Sequence, residues 1–505
     1  MQPYRGVKWC SVVSLVLMAM LFMSYVTAAE TSCRFRTQRL QCGDLACDRE
    51  TNICVACRVD SDCYPGAMRC DVASGRCKMR SFTSFFGARA GLAILCAFLI
   101  CSIGVVAGVG GGGILVPMFC GLLEVSMQSA VGLSQSTICG QSALNMYLAV
   151  QKKHVDTSWD RPLINYQYLS LLLPLGLIGT LIGGILSKFC PDVLRLVLLF
   201  VVLSAVLYRT LGNMRKQYKQ DTNEQQMSVE ISDMSEASRL QSCSGSGETQ
   251  SSKVAGRDLS ESRENTTVSL VLEQTSPPIV RPSQSQYPQQ EIAMNFASFF
   301  VLLLFNIFRT YSVCGGFMYW LCVLVPLLFL SVVFYFNRQY LCRLAESNPE
   351  QVTFPWTQEN SVTYPMVAVI AGAAAAMLGI GGGLVLGFVL YEVGLAPQEA
   401  SATGGMATFF IAFSSALQLL VTSSLVVDRG IVLFIVGLCS TALGHFVFMK
   451  YIKEHGLDYL ILGSLAFIVG GSLVVLGGYS IYNTVMLTRA GDSVLAFGRL
   501  CARTK

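Results

Sequence analysis

The sequence predicts an all-α polytopic membrane protein: two homologous transmembrane repeats with glycine-broken helices, preceded by a small N-terminal disulfide-rich ectodomain. Three observations lead there. Of 505 residues, 53% are hydrophobic and 13% charged, whereas soluble domains carry about 25% charged residues; too little polar surface remains for a soluble fold of this length. A glycine cluster occurs twice inside apolar sequence, GVGGGG at 108–113 and GIGGG at 379–383. Gly108 lies as far from Thr137 as Gly379 lies from Thr408, a spacing that suggests duplication. Finally, eight cysteines crowd into the segment behind an N-terminal apolar stretch.

Residues 1–28 read as a signal peptide, with Arg5 and Lys8 ahead of the apolar run Val12 to Met23 and small residues at Ala28 and Ala29. An uncleaved signal anchor is the alternative, and either one sends the next segment out of the cytosol. Residues 29–85 then hold Cys33, Cys42, Cys47, Cys54, Cys57, Cys63, Cys70 and Cys77. Their even number and close spacing predict disulfides, which so short a segment needs in place of a large core. Cys54-x-x-Cys57 also has zinc spacing, but the segment has no histidine and an oxidising destination. Eight cysteines allow 105 pairings, so the connectivity stays open. No metal and no cofactor is expected.

The first repeat spans 88–211, with apolar runs at 90–107, 113–123, 129–150, 164–187 and 192–211. Residues 212–293 are rich in Ser, Gln and Glu and predict a disordered loop, which could recruit protein partners. An intervening transmembrane pair occupies 294–336, followed by a polar connector at 337–363. The second repeat, 364–483, has runs at 364–378, 384–395, 400–425, 430–449 and 457–482; a tail covers 484–505. These runs place the chain as a multi-pass protein of the plasma membrane or of a secretory-pathway endomembrane. The net charge of +5 is spread over loops, with no basic cluster carrying interleaved aromatics, so nucleic-acid binding has no support.

Orientation is contested within the sequence. Lys152, Lys153, Arg161, Arg209, Arg215, Lys216 and Lys219 favour cytosolic loops at 151–163 and 212–293. With the ectodomain outside, that requires an odd number of crossings before residue 151. Counting both 90–107 and 113–123 as crossings satisfies it; treating 113–123 as a re-entrant stub does not.

Each glycine weakens a helix by about 1 kcal/mol relative to alanine, and freed backbone at bilayer depth survives only where protein or water covers it. Gly110, Gly111, Gly112 and Gly113, and Gly381, Gly382 and Gly383, therefore mark breaks or very tight crossings. A helix restarting after a break presents amide hydrogens and partial positive charge, enough to hold an anion without lysine or arginine. Between residues 96 and 150 there is no basic residue at all. The polar residues after each cluster are the candidate ligands: Ser134, Gln135, Thr137, Gln141 and Asn145 in the first half, Thr403, Thr408 and Ser414 in the second. Interhelical hydrogen bonding accounts for them equally well. Glu124 and Glu392 recur in similar settings, LLEVSMQ and LYEVGLAPQ, and are candidates for proton coupling or for capping the next helix. His445 reads as a satisfied interior histidine. No catalytic constellation is present, so an enzyme is not expected.

The strings AGVGGGGILVPMF, KKHVDTSWDRPLINYQYLSLLLPLGLIGTLIGGIL and LGIGGGLVLGFVLYEVGLAPQEASATGGMATFFIAFSSALQ resemble the TauE/SafE family of sulfite and organosulfonate exporters, in particular its plant-like branch. The resemblance covers about residues 88–215 and 364–483. It implies a duplicated polytopic fold that exports or moves a small sulfur oxyanion, sulfite or an organosulfonate; binding near the two glycine breaks and alternating access by rocking of the halves is the mechanism the breaks themselves suggest. The ectodomain and the 212–293 loop fall outside it. They motivate the rival expectation, a membrane receptor or scaffold.

Overall fold

The computed structural model describes residues 44–64, 68–79, 88–106, 111–123, 125–154, 161–208, 210–212, 285–313, 315–347, 360–392, 397–421, 427–451 and 459–489, with single positions at 33, 35, 38, 42, 395 and 425. The signal segment, Gly110, Glu124, the sequon at Asn265, nearly all of the 212–293 loop and the tail beyond Arg489 lie outside the described residues.

The N-terminal domain is closed by four disulfides arranged as two tandem units. Cys33–Cys47 interleaves with Cys42–Cys54, and Cys57–Cys70 interleaves with Cys63–Cys77. Each unit holds one antiparallel hairpin, β1 (Ala46–Cys47) with β2 (Cys54–Val55) and β3 (Met68–Asp71) with β4 (Arg76–Met79). Loops of 12 to 14 residues closed this way are each constrained by about 3 kcal/mol in the chain-entropy account. Cysteines form most of both small cores. All eight sulfurs are spent, so Cys54-x-x-Cys57 has no thiolate to offer zinc. On the second hairpin, hydrogen bonds from Lys78 and Ser74 hold the Asp71 carboxyl down to about 2.

Twelve long helices follow among the described residues: α1 (Ala88–Val106), α2 (Gly112–Leu123), α3 (Met127–Val150), α4 (Tyr166–Phe189), α5 (Asp192–Gly212), α6 (Gln289–Tyr311), α7 (Phe317–Ser347), α8 (Asn360–Leu378), α9 (Gly383–Glu392), α10 (Pro397–Val421), α11 (Val427–Leu443) and α12 (Tyr459–Arg489). A π-helical turn, Gly444–Met449, extends α11. Eight of them, α4 to α8 and α10 to α12, are long and apolar enough to cross a membrane. With this set of spans the chain is a multi-pass integral membrane protein. Helix α3 is too polar to join the eight, yet its 24 residues carry no charge and reach about 36 Å. Each of the twelve apolar runs in the sequence coincides with a helix. The largest departure is α7, which continues to Ser347 into the first part of the expected 337–363 connector, anchored by Asn337 Nδ2 donating to Ser170 O (3.0 Å) and Arg338 Nε to Ser361 Oγ (2.9 Å).

Close contacts fix the direction of each helix. Helix α1 starts next to the ectodomain and runs alongside α11, with Gly444 against the Ser102 carbonyl. Helices α3 and α11 run the same way: Gly430 faces Ser136, Gly437 meets the Thr137 carbonyl, and Thr441 Oγ1 donates to Gln141 O at 3.2 Å. After the break, α2 turns back toward the ectodomain end, packed on both α1 and α3. The pair α1–α2 is thus a re-entrant hairpin that adds no net crossing. Helix α3 alone then carries the chain to the far end, where Lys152, Lys153 and Arg161 lie, and one passage is the odd number that the expectation of a cytosolic loop requires. His445 is at that end too, half-buried and 3.0 Å from Lys152 Nζ, rather than in the interior.

The second set of helices, α8 to α12, packs on the first, α1 to α5. Helix α8 starts at the far end beside the first turn of α4 and rises along it, Gly176, Gly179 and Gly183 meeting Ala368, Val369 and Ala373. Helix α9 turns back toward the far end. Packing is reciprocal: α4 lies on α8 and α10 as α11 lies on α1 and α3, while α3 and α10 cross antiparallel between them. Two apolar clusters, one around α1, α2, α5 and α12 and one around α4 and α6 to α10, flank this crossing.

Candidate functional site

Both breaks lie at the centre, where the α1–α2 and α8–α9 hairpins meet tip to tip. Helix α8 ends at Leu378. Gly379, Gly381 and Gly382 have φ of 77°, 79° and 72°, a left-handed backbone that only glycine adopts without strain. Helix α9 restarts with Val385 N and Leu386 N donating to Gly382 O at 3.1 and 3.0 Å. Helix α2 restarts the same way, Ile114 N and Leu115 N closing on Gly111 O at 3.1 and 3.3 Å. The first amides of a helix have no partner within it, so both restarts aim N–H groups and partial positive charge into the middle of the protein.

The approach of the tips is close enough to exclude side chains. A Cβ on Gly112 would lie 2.9 Å from Gly379 O and 3.0 Å from the Ile380 carbonyl carbon. Ile138 of α3 lies against Gly112 and Gly381, and Ile411 of α10 lies against Gly382. The arrangement is therefore shut, with isoleucines wedged at the crossing.

Some predicted residues gather here and others do not. Ser134 Oγ donates to Gly379 O in the break at 2.8 Å and Gln135 Nε2 to Ala375 O in the last turn of α8 at 2.6 Å. Thr408 Oγ1 sits against Gly383 at the start of α9 and donates to Gly404 O at 2.7 Å. Gly111 and Gly113 belong to the other tip, where Gly113 faces Leu203 and Ser472 Oγ. Thr137 donates to Leu133 O within its own helix. Gln141 Nε2 donates to Cys101 O at 2.8 Å, tying α3 to α1. Asn145 faces Gly405 nearer the far end. Ser414 lies 3.2 Å from Thr180 Oγ1, on the α4–α10 seam. Thr403 accepts from Asn165 N at 2.9 Å. The side chain of Glu392 is outside the described residues, as is Glu124. Gln135 Oε1 and Gln141 Oε1 are buried without partners; these are acceptors, which suit a proton-bearing group better than an anion.

Sequence reading missed a polar cluster at the far end. Glu399, 3% exposed at the start of α10, accepts both fork nitrogens of Arg161 at 2.8 and 3.0 Å and Asn165 Nδ2 at 2.9 Å. His154 Nε2 lies 3.4 Å from the same carboxylate. The loop between α3 and α4 is thereby fastened to α10 of the other set. The partners are separated by more than two hundred residues in sequence, and only the charge of Glu399 beside an apolar run hinted at it. Ser472, in α12, was missed too, although Gly470 and Gly471 precede it.

Comparison with known proteins adds three findings. The family model described as Sulfite exporter TauE/SafE matches residues 93–241. The chain is 27% identical over 431 residues to Sulfite exporter TauE/SafE family protein 3 of Arabidopsis thaliana, covering 81% of this chain and 82% of that protein. It is 23% identical to family protein 1 of the same plant, covering 78% and 84%, and 25% identical to family protein 5, covering 76% and 82%. No solved structure matches. The resemblance to plant TauE/SafE proteins that the glycine-cluster strings carry is borne out by these similarities.

Proposed function

We propose that the chain is a two-repeat carrier that moves a small anion, sulfite or an organosulfonate, across its membrane by alternating access. The observation that carries this reading is the contact of the α2 restart at Gly112 with the chain that leaves α8 at Gly379, four residues before α9 restarts. Paired half-helices of opposite direction are the way transporters build a mid-membrane ion site from backbone alone. The reciprocal packing of α1–α5 and α8–α12 supports inverted repeats. The names of the plant relatives supply the substrate class.

In this reading the α2 and α9 restarts provide N–H donors, and Thr408 adds a hydroxyl beside α9. Ser134 becomes available when its bond to Gly379 O opens. Motion of one set against the other would part the two tips, and the Arg161–Glu399 fork, which bridges the sets at the far end, would have to yield when that end opens. Basic residues at the far end support a cytosolic assignment for it, with the ectodomain on the other side. Glu124 and Glu392 remain proposals for proton coupling. Replacing either by Gln should flatten the pH dependence of flux; unchanged steepness rejects the role.

The test is uptake of labelled sulfite, sulfate and a sulfonate into vesicles holding the purified chain. Saturable uptake of at least one supports the carrier. Absence of flux for all three, with binding of partners through residues 29–85 intact, favours the receptor or scaffold.

A further inference from the structure

Away from the crossing, two cations share one aromatic ring at the ectodomain end of the bundle. Lys188, in the last turn of α4, places Nζ 5.8 Å from the centre of the Tyr319 ring. Arg309, in the last turn of α6 and 7% exposed, places Cζ 5.6 Å from the same centre. Among the described residues no carboxylate lies within ion-pair distance of either; the nearest acid in sequence, Asp192, pairs with Arg195 at 3.5 Å. Two further polar groups there are buried without a partner, the Tyr319 hydroxyl and Asn306 Nδ2, one helical turn before Arg309.

Two like charges facing one ring repel each other, and unpaired buried donors are costly. The C-terminal ends of α4 and α6 offset part of the repulsion through their dipoles, which lets the site stand empty, but they provide no acceptor for the Tyr319 hydroxyl or the Asn306 amide. An oxyanion would satisfy all four groups. Its source is indicated by depth. The α6–α7 turn exposes Tyr311, Val313, Phe317 and Met318 at 60% to 85%, and Trp320 packs on Tyr319 with ring centres 5.8 Å apart. Such aromatic and apolar exposure at a helix end marks the headgroup layer.

We propose that Lys188, Arg309, Tyr319 and Asn306 form a binding site for the phosphate of a phospholipid headgroup, in the leaflet on the ectodomain side. This gives α6 and α7, which lie outside both repeats, a role in seating the bundle against lipid. The site is independent of the transport reading.

The experiment measures binding of short-chain phosphatidylglycerol to the purified full-length protein by native mass spectrometry, with diacylglycerol and inorganic phosphate as separate arms. Phosphatidylglycerol should bind, diacylglycerol should not, and the Lys188→Gln/Arg309→Gln pair should weaken binding about tenfold or more, as expected for losing bonds between charged groups. Tyr319→Phe should weaken it less, and Lys188→Arg should preserve it, which guards against misfolding of the double variant. Inorganic phosphate competing at equal concentration would reassign the site to a soluble anion and overturn the lipid source. Equal binding by wild type and a folded double variant, or equal binding of diacylglycerol, would overturn the site itself.

Discussion

Replacing Glu399 is the sharpest perturbation of the closed arrangement. Its carboxylate takes three hydrogen bonds of 2.8 to 3.0 Å from Arg161 and Asn165. Glu399→Ala takes these bonds from the Arg161 guanidinium, whose side chain is 12% exposed and keeps His154 Nε2 at 3.0 Å, and from the Asn165 amide in a residue 4% exposed. Removing one partner of a buried pair costs about 3–5 kcal/mol. The partial exposure of Arg161 puts the expectation near the lower figure, about 3 kcal/mol. Glu399→Gln keeps one acceptor oxygen and should lose about half as much. Reversible unfolding in mixed micelles, followed by circular dichroism, measures both, and the Arg161→Ala/Glu399→Ala cycle isolates the coupling, expected at about 1–3 kcal/mol. A Glu399→Ala variant within about 0.5 kcal/mol of wild type, the range of ordinary surface changes, would refute the claim that this fork fastens the two sets together.

Three further outcomes follow from the packing. Gly183→Ala puts a methyl onto the Ala373 carbonyl and backbone; backbone cannot yield as a side-chain tip can, so α4 and α8 must separate, lowering stability by about 1–3 kcal/mol in the same unfolding assay. Gly381→Ala meets both a φ of 79° and Ile138 at 2.9 Å; the left-handed backbone alone costs about 1–2 kcal/mol, and flux in vesicles should fall with it. Cys57→Ser with Cys70→Ser removes one cross-link of the ectodomain, about 3 kcal/mol; the domain should become open to protease while labelled-anion flux persists, since the close contacts described at the crossing all come from the helices.

Much of this fold is legible in the sequence because apolar runs in a bilayer must be helices, and glycines at 110–113 and 379–383 leave little choice but a break. The polar face of α3 hides a span from hydropathy, yet its charge-free length reveals it. Local rules do not reach the disulfide pairing, because the two bonds of each unit interleave and spacing alone does not choose among the possible pairings. Nor do they reach the partners of Glu399, which the chain brings together only through reciprocal packing of distant helices. The hydroxyls of Ser134, Thr137 and Thr408 look alike in sequence; their neighbours decide that the first holds the opposite tip, the second its own helix and the third the start of α9. Lys188 and Arg309 escaped notice because each, taken singly, is an ordinary cation in the last turn of a helix.

The central claim is that an oxyanion is held where the two interrupted hairpins touch. Selenite, a heavier analogue of sulfite, makes this directly visible by anomalous diffraction from crystals grown in its presence. The account predicts an anomalous peak within hydrogen-bond reach of the amides that open α2 and α9, lost in Gly381→Ala. A peak confined to other surfaces, with the Gly112–Gly379 contact unchanged and dry at saturating selenite, contradicts it.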